Sequence, residues 1–500
     1  MDEQTLSDIQ GFLLFAYRRL PKSYYLVLHL GDDPGAARRW LDRIRREVPG
    51  SAKHERGATK RVHVAFTASG LERLGVPGGD VAAAFPREFV LGMNDPDRSK
   101  VIGDQNEDAP DNWEFGGPET TSVDALLLLF GTVDSIGQLR EAQQALLRDH
   151  GIQVIACHET YRPDDAREHF GFHDGISQPY IKGSARPPRS GEHPLEPGEF
   201  ILGQMNEYRH PAACPVVPAR HEVPPLLESG DGHVRLGLNG SYLVYRKMEQ
   251  DVEAFWRYAF NNARLTGTDT VERAAVRLAS GLVGRWPGGA PLVLSPDRDR
   301  AELSDENRFL YRDLDPLGHR CPLGAHVRRG HPRDMLGSSA AHSLTASSRH
   351  RIIRRGRLYG SRSRSAQRRT PDGELLGFRP PDGADQGDQP DEKRGLIFIA
   401  LNADIRRQFE FVQQTWINAR QFAGLYDERD ALVGADVKSY RDFMSGQDIP
   451  CARNFTLQGE PIRSRFFDLP RFTRIRGGAY FFLPGRSALG YLAGAGSEQT

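Results

Sequence analysis

The first 165 residues alternate between continuous apolar stretches and segments with helical spacing. Trp40, Ile44 and Val48 recur on one face of a predicted helix. A second helix can begin at Asp134 or Ser135, because both side chains cap helices well. Four apolar stretches predict buried strands, at residues 24–30, 62–66, 123–130 and 152–157. The resulting order, βαββαβ with insertions, is the ferredoxin-like pattern.

A similar order recurs after residue 240. One helix is predicted over Val252–Phe260, and another begins at Asp404 and runs to about Trp416. Apolar stretches predict further strands at residues 241–246, 396–401 and 479–483. We therefore predict an α+β protein with two ferredoxin-like domains whose sheets are antiparallel, the second domain carrying more insertions.

Changes in composition predict the domain boundaries. Nine prolines and many glycines between Tyr180 and Gly240 indicate a connector. The chain is therefore expected to divide into a first domain at 1–180, a connector at 181–240 and a second domain at 241–500. Within the second domain, residues 362–393 begin with Ser and Arg and continue with Pro-Asp-Gly turns, which predicts a mobile insertion.

Charge and composition narrow the function classes. The 500 residues carry 66 Lys and Arg against 66 Asp and Glu, and a formal net charge of zero argues against a general nucleic-acid binder. No apolar stretch approaches the ~18 residues of a membrane span. The acidic start Met-Asp-Glu-Gln lacks the basic residues of an export signal. We expect a cytoplasmic protein without nucleic-acid or membrane partners.

One candidate segment follows the last strand of the first unit. It reads Gly171-Phe-His-Asp174-Gly175, and two glycines around an aspartate suit a tight turn that holds a carboxylate at a fixed angle. Asp-Gly is also common in ordinary turns, so this segment alone does not show whether Asp174 has a chemical role or only forms a turn.

Two later segments also offer reactive side chains. His326 follows Cys321-Pro-Leu-Gly-Ala, and a lone histidine is a structural or surface residue unless partners or a prosthetic group make it a ligand. Zinc is disfavoured, because no other pair at zinc-site spacing accompanies Cys321 and His326. Arg354 follows an Ile-Ile pair, so a short strand either holds its guanidinium in a cleft or forms a basic edge facing solvent.

Taken together and in this order, the three segments resemble the dye-decolourising peroxidase family of haem proteins, in particular its longer bacterial members. The likeness rests on Phe-Gly-Phe-His-Asp-Gly-Ile-Ser-Gln-Pro at 170–179, Cys-Pro-Leu-Gly-Ala-His at 321–326 and Ile-Ile-Arg-Arg-Gly-Arg-Leu-Tyr-Gly at 352–360. Further similar stretches lie at 199–203, 239–244, 401–405, 408–416 and 476–485, so the resemblance spans nearly the whole chain. It implies two ferredoxin-like domains, with haem bound between the sheet and helices of the second.

The resemblance also implies roles for individual residues. His326 matches the proximal axial ligand of haem iron, Asp174 the distal aspartate and Arg354 the distal arginine. Further contacts to the haem are expected from Gly175, Ile176 and Arg333.

The family also places a carboxylate behind the proximal histidine. Glu410 and Asp404 are the candidates here, with Glu410 preferred because Asp404 is expected to cap a helix. Spacing along the chain does not decide between them.

The expected function is that of a peroxidase with one heme b per chain. It would use hydrogen peroxide to oxidise dyes, phenols and other small aromatic reductants by single-electron steps, as a monomer or a homo-oligomer. A haem-binding or iron-extracting protein on the same scaffold is the alternative, and an interaction protein without a prosthetic group is a third possibility.

Overall fold

The computed structural model describes residues 1–52, 57–184, 193–265, 270–362, 393–437, 439–441, 444, 446–450, 453–459 and 461–494. The expected insertion at about 362–393 therefore lies almost wholly outside the described residues. In the part of the chain described, no helix is long and apolar enough to cross a membrane.

The first 165 residues form the predicted strands and helices, together with several short additional helices. In chain order they are α1 (Glu3–Asp8), α2 (Gly11–Leu14), β1 (Lys22–His29), α3 (Pro34–Arg45), β2 (Lys60–Phe66), α4 (Ala68–Arg73), α5 (Gly78–Ala84), α6 (Arg87–Leu91), α7 (Pro96–Ile102), β3 (Ala125–Gly131), α8 (Ile136–Asp149) and β4 (Gln153–Tyr161). The strands pair in the order β4-β1-β3-β2, all antiparallel. This is a ferredoxin-like sheet, as the pattern predicts.

The strands that the structure describes in the connector are short. They are β5 (Tyr180–Ile181), β6 (Pro194–Leu195), β7 (Val217–Pro218) and β8 (His233–Val234). The predicted domain boundaries at 180 and 240 stay a prediction.

The second half repeats the ferredoxin-like order with larger insertions. Its elements are β9 (Ser241–Gln250), α9 (Val252–Asn261), α10 (Val271–Val283), α11 (His326–Gly330), α12 (Ala340–Ser348), β10 (Ile353–Arg354), β11 (Arg357–Tyr359), β12 (Gly395–Asn402), β13 (Ser439–Arg441), β14 (Asp448–Pro450), β15 (Phe455–Leu457), β16 (Ser464–Phe466), β17 (Thr473–Leu483) and α13 (Arg486–Leu492). β10 and β11 are two parts of one interrupted strand, since both pair with β12. The sheet order is β17-β9-β12 followed by this interrupted strand.

The helix predicted from Asp404 to about Trp416 is present but is wound as two π-helical segments, Arg406–Glu410 and Val412–Ile417. Asp404 does cap it, because its Oδ1 accepts a hydrogen bond of 2.8 Å from the backbone N–H of Arg407. Short 3₁₀ turns lie at Asn106–Asp108, Pro110–Asn112, Pro197–Glu199, Pro225–Leu227, Ala301–Leu303 and Phe422–Gly424.

The two four-stranded sheets join at both edges. β17 meets β2 where Phe482 faces Phe66, and β11 meets β4 where Leu358 faces Tyr161. The closed ring encloses a core of inward-facing side chains that includes Tyr25, Val27, Leu126, Leu128, Leu243 and Phe481. Because strand residues alternate between faces, the intervening side chains form a second core under the outer helices. This explains why β3 is apolar at every position.

Candidate active site

A cavity lies between the outer face of the second sheet and the helices that cover it. Arg246 and Met248 of β9, Phe398 of β12 and Ile475 of β17 form its sheet wall, and α11 contributes to the opposite side. The cavity is lined by the six residues that the resemblance matched to the haem ligand, the distal pair and further haem contacts, namely Asp174, Gly175, Ile176, His326, Arg333 and Arg354. The fold thus brings together three segments that lie up to 180 residues apart in sequence, from Asp174 to Arg354.

Backbone contacts on each side of Asp174 hold its loop in place. The N–H of His173 donates to the carbonyl of Pro287 at 3.1 Å, and the N–H of Asp174 donates to the carbonyl of Ala166 at 2.8 Å. Gly175 adopts φ +82°, a conformation that favours glycine, and its N–H donates to Asp174 Oδ1 at 2.6 Å. The turn therefore orients a carboxylate whose side chain is 48% exposed.

Arg354 lies beside this carboxylate. Its Nη2 is 3.7 Å from Asp174 Oδ1, and its own backbone N–H donates to Gln178 Oε1 at 3.1 Å. The pairing of β10 with β12 sets Arg354 opposite Ala400. The short strand thus directs the guanidinium into the cavity, which excludes the alternative of a basic edge that faces only solvent.

His326 begins α11, and a buried carboxylate lies behind it. His326 Nδ1 is 2.9 Å from Asp430 Oδ2. A carboxylate accepts hydrogen bonds, so Nδ1 carries the proton and the lone pair of Nε2 is left free. Asp430 Oδ1 also accepts from the N–H of Leu432 and of Val433, which fixes the carboxylate. Burial opposes charge on His326, but the Asp430 carboxylate raises the pKa of the imidazole above its usual value.

Neither Glu410 nor Asp404, the two candidates for the carboxylate behind the histidine, contacts it, and that prediction is wrong. Glu410 instead accepts hydrogen bonds from Arg98 Nη1 at 2.9 Å and from the Tyr480 hydroxyl at 3.1 Å. Asp404 is engaged as a helix cap with Arg407. Both carboxylates lie on the π-helical segment or its cap, whereas Asp430 follows on the next loop.

Two buried arginines hold α11 in place. Arg328 donates to Asp315 Oδ2 at 2.9 Å, and Arg329 donates to the carbonyls of Trp416 at 2.7 Å and Glu428 at 2.8 Å. Arg329 therefore ties the helix that begins with the histidine to the loop that leads to the aspartate. Such buried, multiply bonded guanidinium groups limit movement of both partners.

The cavity also contains a group of cations without enough anions. Arg351 donates to His331 Nε2 at 3.0 Å and has no carboxylate within 4 Å among the described residues. Burial, together with Arg333 and Arg354, lowers the pKa of Arg351 to about 9. Arg333 Nε and His331 Nδ1 are buried without a hydrogen-bond partner in the part of the chain described. Arg333 does donate to the carbonyls of Asn307 and Phe309 and to Asn307 Oδ1, so only its Nε lacks an acceptor. Buried polar atoms are normally satisfied, so an acceptor bound in the cavity suits these groups, and an anionic one also suits the charge of the two arginines.

These residues fit the haem that the resemblance implies. A free imidazole lone pair suits the iron, the cations suit two propionates, and the walls include the apolar side chains Val283, Phe309, Phe398, Val412 and Ile417. Among the described residues, no cluster of three or more His, Cys, Asp or Glu could hold a metal ion by itself.

The sequence analysis missed Glu168, an acid that lies just before the loop carrying Asp174, here called the distal loop. Its carboxylate accepts hydrogen bonds of 2.9 Å from the N–H groups of Phe170 and Phe172, and one of 2.8 Å from Gln250 Nε2. Burial outweighs these bonds, and with the nearby charge of Asp174 it raises the pKa of Glu168 to about 7. Glu168 therefore both shapes the loop and holds a proton near neutral pH.

This shift predicts a pH-dependent stability. The folded protein takes up a proton on Glu168 that the unfolded chain, with a pKa of 4.5, lacks between about pH 4.5 and pH 7. The contribution of this group to stability therefore falls as pH rises through that window. From pH 6 to pH 8 the wild type should lose about 1 kcal/mol more free energy of unfolding than Glu168→Gln. Urea titrations of both proteins at the two pH values measure this, and equal losses would contradict it.

Asp430, Arg351 and Glu168 are the site residues that the sequence analysis did not find. Asp430 is 104 residues from its histidine partner, and only its position before Ala-Leu-Val hints at a capping carboxylate. Arg351 stands three residues before Arg354 and was visible as part of the same basic segment. Nothing in the local pattern distinguishes Glu168 from a surface glutamate.

Comparisons with known proteins agree on one family. No protein-family model matches the chain. The chain is 27% identical to a multifunctional dye peroxidase of an Amycolatopsis species, over 96% of this chain and 94% of that protein. It is 29% identical to a dye-decolorizing peroxidase of Mycena epipterygia, over 87% and 76%. The crystal structure of a fungal DyP-type peroxidase from Auricularia auricula-judae matches with a TM-score of 0.73 at 24% identity, over 98% and 99% of the two chains.

Proposed function

We propose that this chain, which belongs to the dye-decolourising peroxidase family, binds one heme b and uses hydrogen peroxide to oxidise dyes, phenols and other small aromatic donors by single-electron steps. The observation that carries the proposal is the convergence on one cavity of the His326–Asp430 pair and the Asp174–Arg354 pair. The cytoplasmic location and the state of association stay predictions.

Residues of both halves would hold the haem. His326 Nε2 would ligate the iron, with Asp430 as the acceptor that fixes the tautomer and makes the imidazole a stronger donor. Arg351, which has no carboxylate within 4 Å among the described residues, and Arg333, whose Nε lacks an acceptor there, would hold the propionates. Gly175 and Ile176 would pack against the haem from the distal loop. Bound there, haem supplies the redox chemistry that reduces peroxide and oxidises the donor.

Asp174 is the group that would move the proton. Its Oδ1 is occupied by the N–H of Gly175 and faces Arg354, so Oδ2 is the oxygen left to exchange a proton with peroxide. As general base it would take the proton from one peroxide oxygen, and it would then deliver that proton to the other oxygen. Both transfers need the carboxylate held at a fixed position, which the backbone bonds of the loop provide.

Arg354 would stabilise the negative charge that develops as the O–O bond breaks. A fixed positive charge beside the breaking bond stabilises such charge, because it is already in position and needs no reorganisation during the reaction. The interrupted strand holds its backbone through the pairing of β10 with β12. The alternative of an iron-extracting protein has no need for this carboxylate–guanidinium pair.

The test is turnover by the purified, haem-loaded protein. With hydrogen peroxide and an anthraquinone dye, we expect bleaching of the dye at a rate that is proportional to enzyme concentration and depends on peroxide. Free haem at the same concentration and haem-free protein serve as controls. A protein that binds haem stoichiometrically but bleaches the dye no faster than free haem would overturn the proposal.

A further inference from the structure

A second, smaller cavity of about 130 Å³ adjoins the first. Asp174, Arg354 and Glu168 line both cavities. Asp174 and Arg354, here called the distal pair, therefore form part of the boundary between them. The remaining walls come from the segment after α2, from the end of β4 with the residues that follow it, and from β11. This second cavity gives a route to the distal pair that does not pass the helices over the main cavity.

The second cavity is strongly cationic although the whole chain has no net charge. Its lining includes six arginines, Arg18, Arg162, Arg167, Arg354, Arg355 and Arg357. The carboxylates in the lining are Glu168, Asp174 and Asp305. With three more cations than anions, the cavity concentrates positive potential and attracts anionic solutes.

Several of these arginines are engaged in holding the fold. Arg357 donates to the carbonyls of Leu20 and Tyr17 and to the hydroxyl of Ser23. Arg167 donates to the carbonyl of Gly171 at 3.0 Å, on the loop that carries Asp174. These guanidinium groups supply charge to the cavity but have few donors left for a ligand.

Arg18 and Arg162 are different. Among the described residues, neither guanidinium has a hydrogen-bond partner or a carboxylate within 4 Å. Arg18 is exposed, whereas Arg162 is about half buried. Burial, followed by repulsion from Arg18, lowers the pKa of Arg162, and Asp174 and Asp164 oppose this shift. Two mutually repelling guanidinium groups at one cavity are relieved by a shared oxoanion, which can accept bonds from both.

We propose that Arg18 and Arg162 form a subsite for the anionic head group, a sulfonate or a carboxylate, of an aromatic donor. The ring of Tyr161 lines the same cavity and supplies an aromatic surface beside the two arginines. That the ligand is an electron donor rests on the proposed peroxidase function, whereas anion binding by the two arginines does not. The chain would therefore prefer anionic aromatic donors to neutral ones of the same size.

Binding is tested first without turnover. Isothermal titration of the haem-loaded protein with benzenesulfonate at low ionic strength should give a Kd that rises at least tenfold in the Arg18→Gln, Arg162→Gln double variant. Arg18→Lys, Arg162→Lys keeps the charges and should recover much of the affinity. Arg19→Gln is the matched control, because it removes the same charge one residue away from a side chain outside the cavity. An unchanged Kd in the double glutamine variant would overturn the subsite.

Turnover then tests the donor class. In the double glutamine variant, KM for 4-hydroxybenzenesulfonate should rise about tenfold while kcat for this donor and KM for phenol stay unchanged. An equal rise in KM for phenol would overturn the charge selection, and inorganic sulfate binding as tightly as benzenesulfonate would overturn the assignment to aromatic donors. If benzenesulfonate binds as described but no donor is oxidised, the peroxidase proposal fails while the anion subsite stands.

Discussion

Asp174→Asn is expected to slow the consumption of hydrogen peroxide by roughly 10²–10⁴, since an amide cannot accept the proton that a positioned general base removes. The variant should keep its fold and its haem, because the amide oxygen can still accept the 2.6 Å hydrogen bond from the N–H of Gly175. Stopped-flow measurement of the Soret absorbance after mixing with peroxide gives the second-order rate constant. Asp164→Asn is the control, an exposed aspartate ten residues earlier that lines neither cavity.

The same assay applied to Arg354→Leu tests whether the two side chains act on one event. Removing a positioned charge costs on the order of 3–4 kcal/mol of transition-state stabilisation, or ~10²–10³ in rate. Because Asp174 and Arg354 are 3.7 Å apart, the double variant should be less impaired than the product of the single effects. A wild-type rate in Asp174→Asn would contradict the proposed proton transfer and leave the loop with a structural role only. A wild-type rate in Arg354→Leu would contradict the proposed stabilisation of charge by the guanidinium.

His326→Ala is expected to lose most of its haem, because the iron would lose an imidazole that lines the cavity and has the buried carboxylate of Asp430 behind it. The haem content of the purified variant, from its Soret absorbance relative to protein, measures the loss. Imidazole added to the variant should restore part of the haem binding, since it can occupy the space of the missing side chain.

Asp430→Asn separates the ligand from its support. An asparagine still accepts a hydrogen bond from His326 Nδ1 but carries no charge, so haem affinity should fall by roughly 10–100-fold rather than disappear.

Full haem and an unchanged spectrum in His326→Ala would show that another residue is the ligand. His331 is the first to examine then, because it lines the same cavity and its Nδ1 has no partner among the described residues.

Local pattern was sufficient for the long strands of the sheet, whereas the candidate site segments were recognised only through the resemblance of their ordered set to a known family. The strands at 24–30 and 396–401 were predicted within about two residues of β1 and β12, because apolar stretches of six or seven residues between turn residues are long enough for a strand and too short for a typical helix. The π-helical winding after Asp404 was not predicted, since π-helices are rare and a helical pattern is by default interpreted as an α-helix.

By itself, then, the sequence predicted the long strands and the ferredoxin-like order in both halves. Its resemblance to a known family pointed to His326, Asp174 and Arg354 as candidate site residues. Only the tertiary structure decided that Asp430 rather than Glu410 stands behind the histidine, and that Arg18 and Arg162 meet beside the distal pair. The spacing of apolar residues along the chain indicates which side of a helix or strand is buried. Which carboxylate reaches a histidine 104 residues away depends on the path of the intervening loops, which packing of the whole chain sets.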